Sequence, residues 1–475
     1  MPNQSNHSMS GIAFNAAVSI FARTIGLGIA FFSLGVVTRY LGPEGSGAYF
    51  TVLAYVGIWS VVADLGLYPI LVRDLGKHGS DEKETFTAFF SLRVVSLTIV
   101  LGLASPLTAL FLPYTTTVKA GIAIGSAMYI FLSLTTLFVA VYQKYLRMHV
   151  VAAGELAGRL VQAVLVFGLL AAGKGVLAAL WASLAGSFVH AAVLAWYARA
   201  SIAYRFSFAP GEWQKILVLS YPVALSTIFS FVYFKIDTVM LSFFASPREV
   251  GIYGLAYKLL EVLIAYPAIY VGLLIPSLAR AAETDQKRYD VILGKAFRLL
   301  ALVALPIFFG GIALAADIIP LFGEGYDESV ITLQILLGAV MMIFFGTLYA
   351  NALIVVNRQK TLAAVYFFGM IANILVNLYV IPRWSYLGAA WTTLATEGAV
   401  TVSMIWLLHR YGRLSMEFGR VPRMLAACAI MVGGLMAFGE WPLGALLLFG
   451  VTVYGSASVM LGAITFEEVR DLFRT

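Results

Sequence analysis

Residues 41–50, LGPEGSGAYF, and residues 245–254, ASPREVGIYG, hold Pro, Gly and Tyr at one spacing: Pro43, Gly47 and Tyr49 against Pro247, Gly251 and Tyr253, an offset of 204. A second pair, LAALWASL at 177–184 and LGAAWTTL at 387–394, repeats at an offset of 210. Coincidence among small residues accounts for either match alone. Two offsets that agree, each six apolar runs long, make an internal duplication the better reading. Because six is even, the copies share one orientation across a membrane and relate by an axis along its normal.

Around these motifs the chain is a succession of apolar runs of twenty or more residues, broken by Gly, Pro or charge clusters. Of its 475 residues 61% are apolar and 12% charged, against roughly half and a quarter in an average soluble domain. Fourteen runs start near Ile12, Ala48, Thr85, Val118, Val151, Gly175, Ile216, Val250, Val291, Ser329, Thr361, Leu387, Val421 and Pro442. Fourteen crossings of about 20 residues fit this length with short connections. Continuous hydrophobicity, rather than ten-residue alternation, selects helices over a barrel. The expected fold is an all-α integral membrane protein with about 14 transmembrane helices. Two pseudo-symmetric six-helix lobes, 11–200 and 212–412, are followed by a helix pair at 421–464.

No polar stretch is long enough to build its own core, which argues against most enzymes that act in water. The single cysteine, Cys428, offers no disulfide framework. His7, His78, His149, His190 and His409 never fall into a zinc-like spacing, so no metal or other cofactor is expected. The 43 glycines are dispersed through helices and form no phosphate loop. The net charge of +7 is scattered between apolar runs, which points to a membrane and away from nucleic acid. MPNQSNHSMS at the start has no basic n-region, and the run after it outlasts a signal-peptide core, so it reads as an uncleaved first helix. With that end inside, nineteen basic residues between Arg73 and Arg474 fall on inner connections, against Arg39, Lys119, Lys174, Arg248 and Arg383 outside. Both termini are thus expected in the cytoplasm.

Seven basic residues remain inside spans, Arg23, Arg93, Arg159, Lys235, Lys258, Lys295 and Arg298, beside the acids Asp64, Asp237, Glu261 and Glu397. A charge at bilayer depth costs about 2.5–3.5 kcal/mol on insertion scales. The excess of cations means that pairing cannot neutralise every base, and a cationic cavity suits an anion. Arg23 leads, because Asn15, Ser19, Arg23, Gly26, Ala30 and Ser33 form one small-and-polar stripe on the first helix. A similar stripe through Ser226, Ser230, Tyr233 and Asp237 serves equally as cavity lining or helix packing. Lys258 and Glu261, three apart, can touch along one face. Arg93, Arg159, Lys295 and Arg298 lie toward the inner ends of their spans, where snorkelling is as good an account as anion binding. Asp237, Asp64, Glu397 and Glu261 are candidates for coupling to H⁺ or Na⁺, or else partners for nearby bases. Asn373 and Asn377 read as interhelical hydrogen bonders.

Residues 38–77 (TRYLGPEGSGAYFTVLAYVGIWSVVADLGLYPILVRDLGK), 234–261 (FKIDTVMLSFFASPREVGIYGLAYKLLE) and 373–393 (NILVNLYVIPRWSYLGAAWTT) resemble the polysaccharide transporter family. Its members are the Wzx-type lipid-linked oligosaccharide flippases of the MATE-like (MOP) superfamily. The resemblance runs from the first span to the last. It implies two lobes in a V around a central cavity, and alternating access that carries a polyprenyl-diphosphate-linked oligosaccharide to the outer leaflet of the cell inner membrane. The glycan would serve capsule, O-antigen or exopolysaccharide synthesis, with a polymerase and other assembly proteins as partners. A diphosphate and many hydroxyls need polar company across hydrocarbon, and the planar fork of Arg grips phosphate oxygens two bonds at a time. The cationic cavity residues of the family match Arg23, and less closely Lys258 and Lys235; substrate binding is expected from Arg23 first, then from Lys258, Lys235 and Arg159, with Arg93 and Arg298 after them. A MATE-like multidrug or cation antiporter would want an acidic or aromatic cavity. A non-transporting scaffold of a glycan assembly complex would not need so many buried charges.

Overall fold

The computed structural model describes residues 9–76 and 81–464, and their side chains except at 9–24, Leu27 and Ser226. Among the described residues there is no strand. Helix α1 (Met9–Asp64) breaks at Gly42, whose φ of 63° a side chain would strain, just ahead of Pro43, which has no N–H to continue the ladder. A turn at Leu65 and Gly66, both at positive φ, leads to α2 (Leu67–Leu75). Asp81 caps α3 (Glu82–Leu97) by accepting from the N–H groups of Lys83 and Glu84. A π-turn, Thr98–Ala104, joins α3 to α4 (Ser105–Leu110), where Pro106 removes a donor. Next come α5 (Thr116–Lys144), α6 (Met148–Ala171), α7 (Val176–Ala198) and α8 (Pro210–Phe244). The remainder is α9 (Pro247–Thr284), α10 (Gln286–Ile318), α11 (Glu328–Val355), α12 (Gln359–Arg410), α13 (Val421–Ala437) and α14 (Leu443–Met460).

Twelve spans among the described residues are long and apolar enough to cross a membrane, so the protein is a multi-pass membrane protein. Two of them, Gly28–Leu75 and Gln359–Arg410, are 48 and 52 residues long. As straight helices they would measure about 72 and 78 Å, more than twice a hydrocarbon core of about 30 Å. Each holds a backbone break, at Gly42 and at Ser385 (φ 47°, ψ −130°), where the sequence reading ends one crossing and begins the next.

The chain divides into two compact units, Met1–Gly251 and Ile252–Thr475. In the first, α1 packs against α5, α6 and α8, while α7 lies on α5 and α6. Leu71, Phe86, Leu92, Phe138, Tyr142 and Leu194 belong to a core joining α2, α3, α5 and α7. In the second, α11 lies on α10 and α12. The pair α13 and α14 closes onto α10 through Leu305, Met424, Cys428, Met431 and Leu435, and the Tyr454 hydroxyl donates to the Leu302 carbonyl at 2.9 Å.

The sequence repeat returns as one hydrogen-bond pattern made twice. Tyr49 meets Ser183 at 3.2 Å and Tyr253 meets Thr393 at 3.2 Å, each joining the first repeated motif to the same position of the second. Ser183 donates its own proton to the Ala179 carbonyl, and Thr393 donates to that of Ala389, both at 2.9 Å. The tyrosine is therefore the donor in both copies, since a hydroxyl has a single proton.

Candidate functional site

Arg93 is held in a buried lock. One of its terminal nitrogens donates to the Asp64 main-chain carbonyl at 2.6 Å. The other donates to Asp64 Oδ2 at 2.6 Å, to Thr136 Oγ1 at 2.9 Å and to the Ser133 carbonyl at 3.3 Å. Asp64 ends α1, so the guanidinium also neutralises the negative end of that helix. The Arg93 side chain is 0% exposed, and no surface is left to receive a ligand. Of the two roles expected for Asp64, coupling acid or partner of a nearby base, this geometry supplies the second, and Arg93 is engaged by it rather than by a ligand. The two satisfy one another across 29 residues of chain, a pairing that helical spacing does not reveal.

A second pair is built differently. Arg159 Nε and Nη2 both donate to Glu155 Oε1, at 2.9 and 2.8 Å, one helical turn apart on α6. Arg159 is the twelfth of the 24 residues of α6, about 17 Å from either end at 1.5 Å per residue. That is too deep to snorkel, which corrects the reading of Arg159 as an inner-end residue. α1 packs directly on this pair: a Cβ at Gly26 would stand 3.2 Å from Arg159 Cδ and 4.0 Å from Glu155 Oε1. Gly26 lies on the expected polar stripe, three residues after Arg23, whose side chain is outside the described residues. Polar contacts continue along α6, where Gln162 donates to Ser183 Oγ at 3.0 Å.

In the second unit Lys258 donates to Glu261 Oε2 at 2.7 Å, so the two residues expected to touch along α9 do. Both side chains keep over a quarter of their surface. Arg298 donates to Glu417 Oε2 at 2.7 Å. Glu417 belongs to the connection after α12, so this pair of Arg298 ties that connection to α10. Lys295 is exposed. Asn377 donates to Asn373 one turn away on the same arm of α12 at 3.1 Å, and Asn373 donates to Thr396 Oγ1 at 3.4 Å across the Ser385 break, so only the second is the bond between crossings expected of them. Glu397, 6% exposed, is buried beside Thr396 on α12. In the first unit Lys235 is half-buried and Asp237 is 2% exposed, and both are engaged by neighbours.

The described cations of the spans are thus largely compensated. The sequence tally had missed two of the acids that compensate them. Glu155 was legible, because a Glu four residues ahead of an Arg on a helix is the favoured orientation of an ion pair. Glu417 was not, because nothing in its own connection points to α10. What survives as a site are the pairs Glu155–Arg159 and Lys258–Glu261. Each sits well inside a span and keeps side-chain exposures of 26–30%. Charge left accessible at such depth is stable only against water or a polar ligand, since lipid tails offer it no partner. Such a pair can open to bind an anion on its base and a cation or proton on its acid.

Residues 12–282 match the family described as "Polysaccharide biosynthesis protein", and residues 222–379 match the MatE family. A protein of Haloferax volcanii named "Probable low-salt glycan biosynthesis flippase Agl15" is 21% identical over 97% of this chain and 98% of its own. Among solved structures, the lipid II flippase MurJ in an inward closed conformation superposes with a TM-score of 0.77 at 14% identity, covering 97% of this chain and 100% of that one. An inward-facing multidrug resistance MATE family transporter of the MOP superfamily gives a TM-score of 0.66 at 13% identity, over 83% of this chain and 98% of its own. The all-α fold is therefore that of MurJ and the MATE transporters.

Proposed function

The chain belongs to the polysaccharide biosynthesis protein family, and from that premise we propose that it is a flippase for lipid-linked glycans. Its cargo is a polyprenyl-diphosphate-linked oligosaccharide, carried from the cytoplasmic to the outer leaflet of the inner membrane by alternating access. A cation gradient drives the cycle, both termini are cytoplasmic, and the glycan feeds polysaccharide assembly. The observation that carries this reading is the pair Glu155–Arg159 in mid-span, packed under α1 at Gly26 yet still partly exposed. Hydrocarbon does not tolerate accessible charge there, whereas a diphosphate head group supplies the oxygens that a guanidinium holds two at a time. Arg23, one turn from that contact, joins Arg159 in gripping the head group. Lys235 is a further candidate cation on α8 of the same unit, and Lys258 is the candidate cation of the second unit, on α9. Asp237, Glu397 and Glu261 take the coupling ion, H⁺ or Na⁺.

The test is a flipping assay in vesicles loaded with a polyprenyl-diphosphate-linked sugar, with Arg23 and Arg159 varied separately. Arg23→Ala and Arg159→Ala are each expected to abolish transport at a normal level of assembled protein. The corresponding lysine variants should keep part of it, because an ammonium attracts phosphate without the two-pronged grip. Full transport by both alanine variants would remove the head-group site from the mechanism.

A further inference from the structure

Gly158 and Gly186 bring α6 and α7 so close that a Cβ on either would stand 2.6 or 2.7 Å from the other's carbonyl oxygen. His190, one turn after Gly186 on α7, is pressed against α6 as a result. Its Cβ is 2.9 Å from where a Cβ on Gly158 would be, and its Cδ2 is 3.3 Å from the same point on Gly154. The residues that follow those two glycines on α6 are Glu155 and Arg159, so the imidazole lies against the stretch of backbone that carries both charges. α5, which also packs on α7, carries its charges only at Lys119 and Lys144, near its two ends. From α1, Arg23 stands three residues before the Gly26 contact. The His190 Nε2 atom is buried and has no hydrogen-bond partner among the described residues. A buried polar nitrogen without a partner calls for an explanation. An imidazole is also the side chain whose ordinary titration, near about pH 6.5, falls in the physiological range.

We propose that His190 is a proton-coupling position that sets whether Arg159 is free to hold the head group. With a neutral imidazole, Glu155 and Arg159 satisfy each other and the cluster has no net charge. A proton taken from water onto Nε2 adds one positive charge against the turn of α6 that carries the carboxylate. The imidazolium then competes for Glu155, and the guanidinium turns to the diphosphate. Release of the head group restores the ion pair and returns the proton. His190 touches no substrate here. It positions Arg159 through their shared carboxylate, and the inference rests on the flippase reading above.

The experiment measures affinity for a short-chain polyprenyl-diphosphate N-acetylglucosamine by calorimetry on the whole protein in lipid nanodiscs, between about pH 8 and about pH 5.5. Both phosphates of this probe are esterified, so its own charge is constant over that range. Linkage to one proton can change affinity by at most about tenfold per pH unit. The wild-type protein is expected to bind about tenfold more tightly at the acid end. His190→Asn and His190→Gln should keep the alkaline affinity and lose the slope, varying less than about twofold. Glu155→Gln leaves the imidazole in place and is expected to bind at the tight limit throughout. A flat wild-type profile overturns the proposal and leaves the flippase reading intact, as does an undiminished slope in the His190 variants or in Glu155→Gln. A wild-type protein that neither binds the probe nor flips it removes both.

Discussion

Gly47→Ala is expected to leave almost no assembled protein in the membrane, and Gly251→Ala to do the same. A Cβ on Gly47 would fall 1.7 Å from the Pro247 carbonyl oxygen, 2.7 Å from its carbon and 2.9 Å from the Gly251 nitrogen. The reverse holds nearly as tightly, with a Cβ on Gly251 falling 1.9 Å from the Pro43 oxygen. Every obstacle is main chain, so no side chain can rotate out of the way and the helices themselves must separate by more than 1 Å, given that real Cβ contacts stay beyond 3.0 Å. Overpacking usually costs about 1–3 kcal/mol, and a backbone-to-backbone clash belongs at the top of that range or above it. The helix propensity gained by replacing Gly with Ala is about 1 kcal/mol and is overwhelmed. Gly35→Ala, in the same helix with nothing within 4 Å of its added carbon, is the matched control and should be neutral or slightly stabilising. Membrane level and the thermal midpoint of the detergent-solubilised protein read the difference. A Gly47→Ala protein as stable as the control would mean that the two motifs do not pack as described.

That contact also explains why the repeated motif is visible in the sequence. The residues shared by the two copies, Pro43 with Gly47 and Pro247 with Gly251, are the ones that press on each other, so neither copy can change without a clash. Tyr49 and Tyr253 are shared because each donates to a hydroxyl of the second repeated motif, at Ser183 and Thr393. Close approach and a buried donor leave few alternatives in residue type, and so the spacing survives where the surrounding apolar residues drift. The charges were less legible. Glu155 and Arg159 are set by helical spacing and could have been paired in advance. Asp64 and Arg93 meet only because the break after α1 turns its last carbonyl toward α3. Arg298 and Glu417 meet only because the connection after α12 folds back on α10. Counting bases against acids within spans therefore overstated the free positive charge, and the inner-end placing of Arg159 followed from starting its helix at Val151 when α6 begins at Met148.

Arg93→Met is expected to lower stability by about 3 kcal/mol, and Asp64→Asn added to it to restore most of the loss. Breaking a buried ion pair by removing one partner usually costs about 3–5 kcal/mol, because the other charge is left uncompensated. The lower figure applies here, since the Asp64 side chain keeps 27% exposure and can draw on water. Replacing both partners removes both charges from the interior and is often nearly neutral. Recovery should stop short of complete, because the carbonyls of Asp64 and Ser133 still lack the donor that Arg93 gave them. The flipping assay separates this structural role from a binding one. If Arg93 only holds α3, α5 and the end of α1 together, the double variant recovers transport along with assembly. If Arg93 instead meets the head group at some stage of the cycle, Asp64→Asn with Arg93→Met assembles normally and moves nothing. The first outcome is expected, because a guanidinium with four short contacts and no exposed surface would have to surrender all of them before it could reach a ligand.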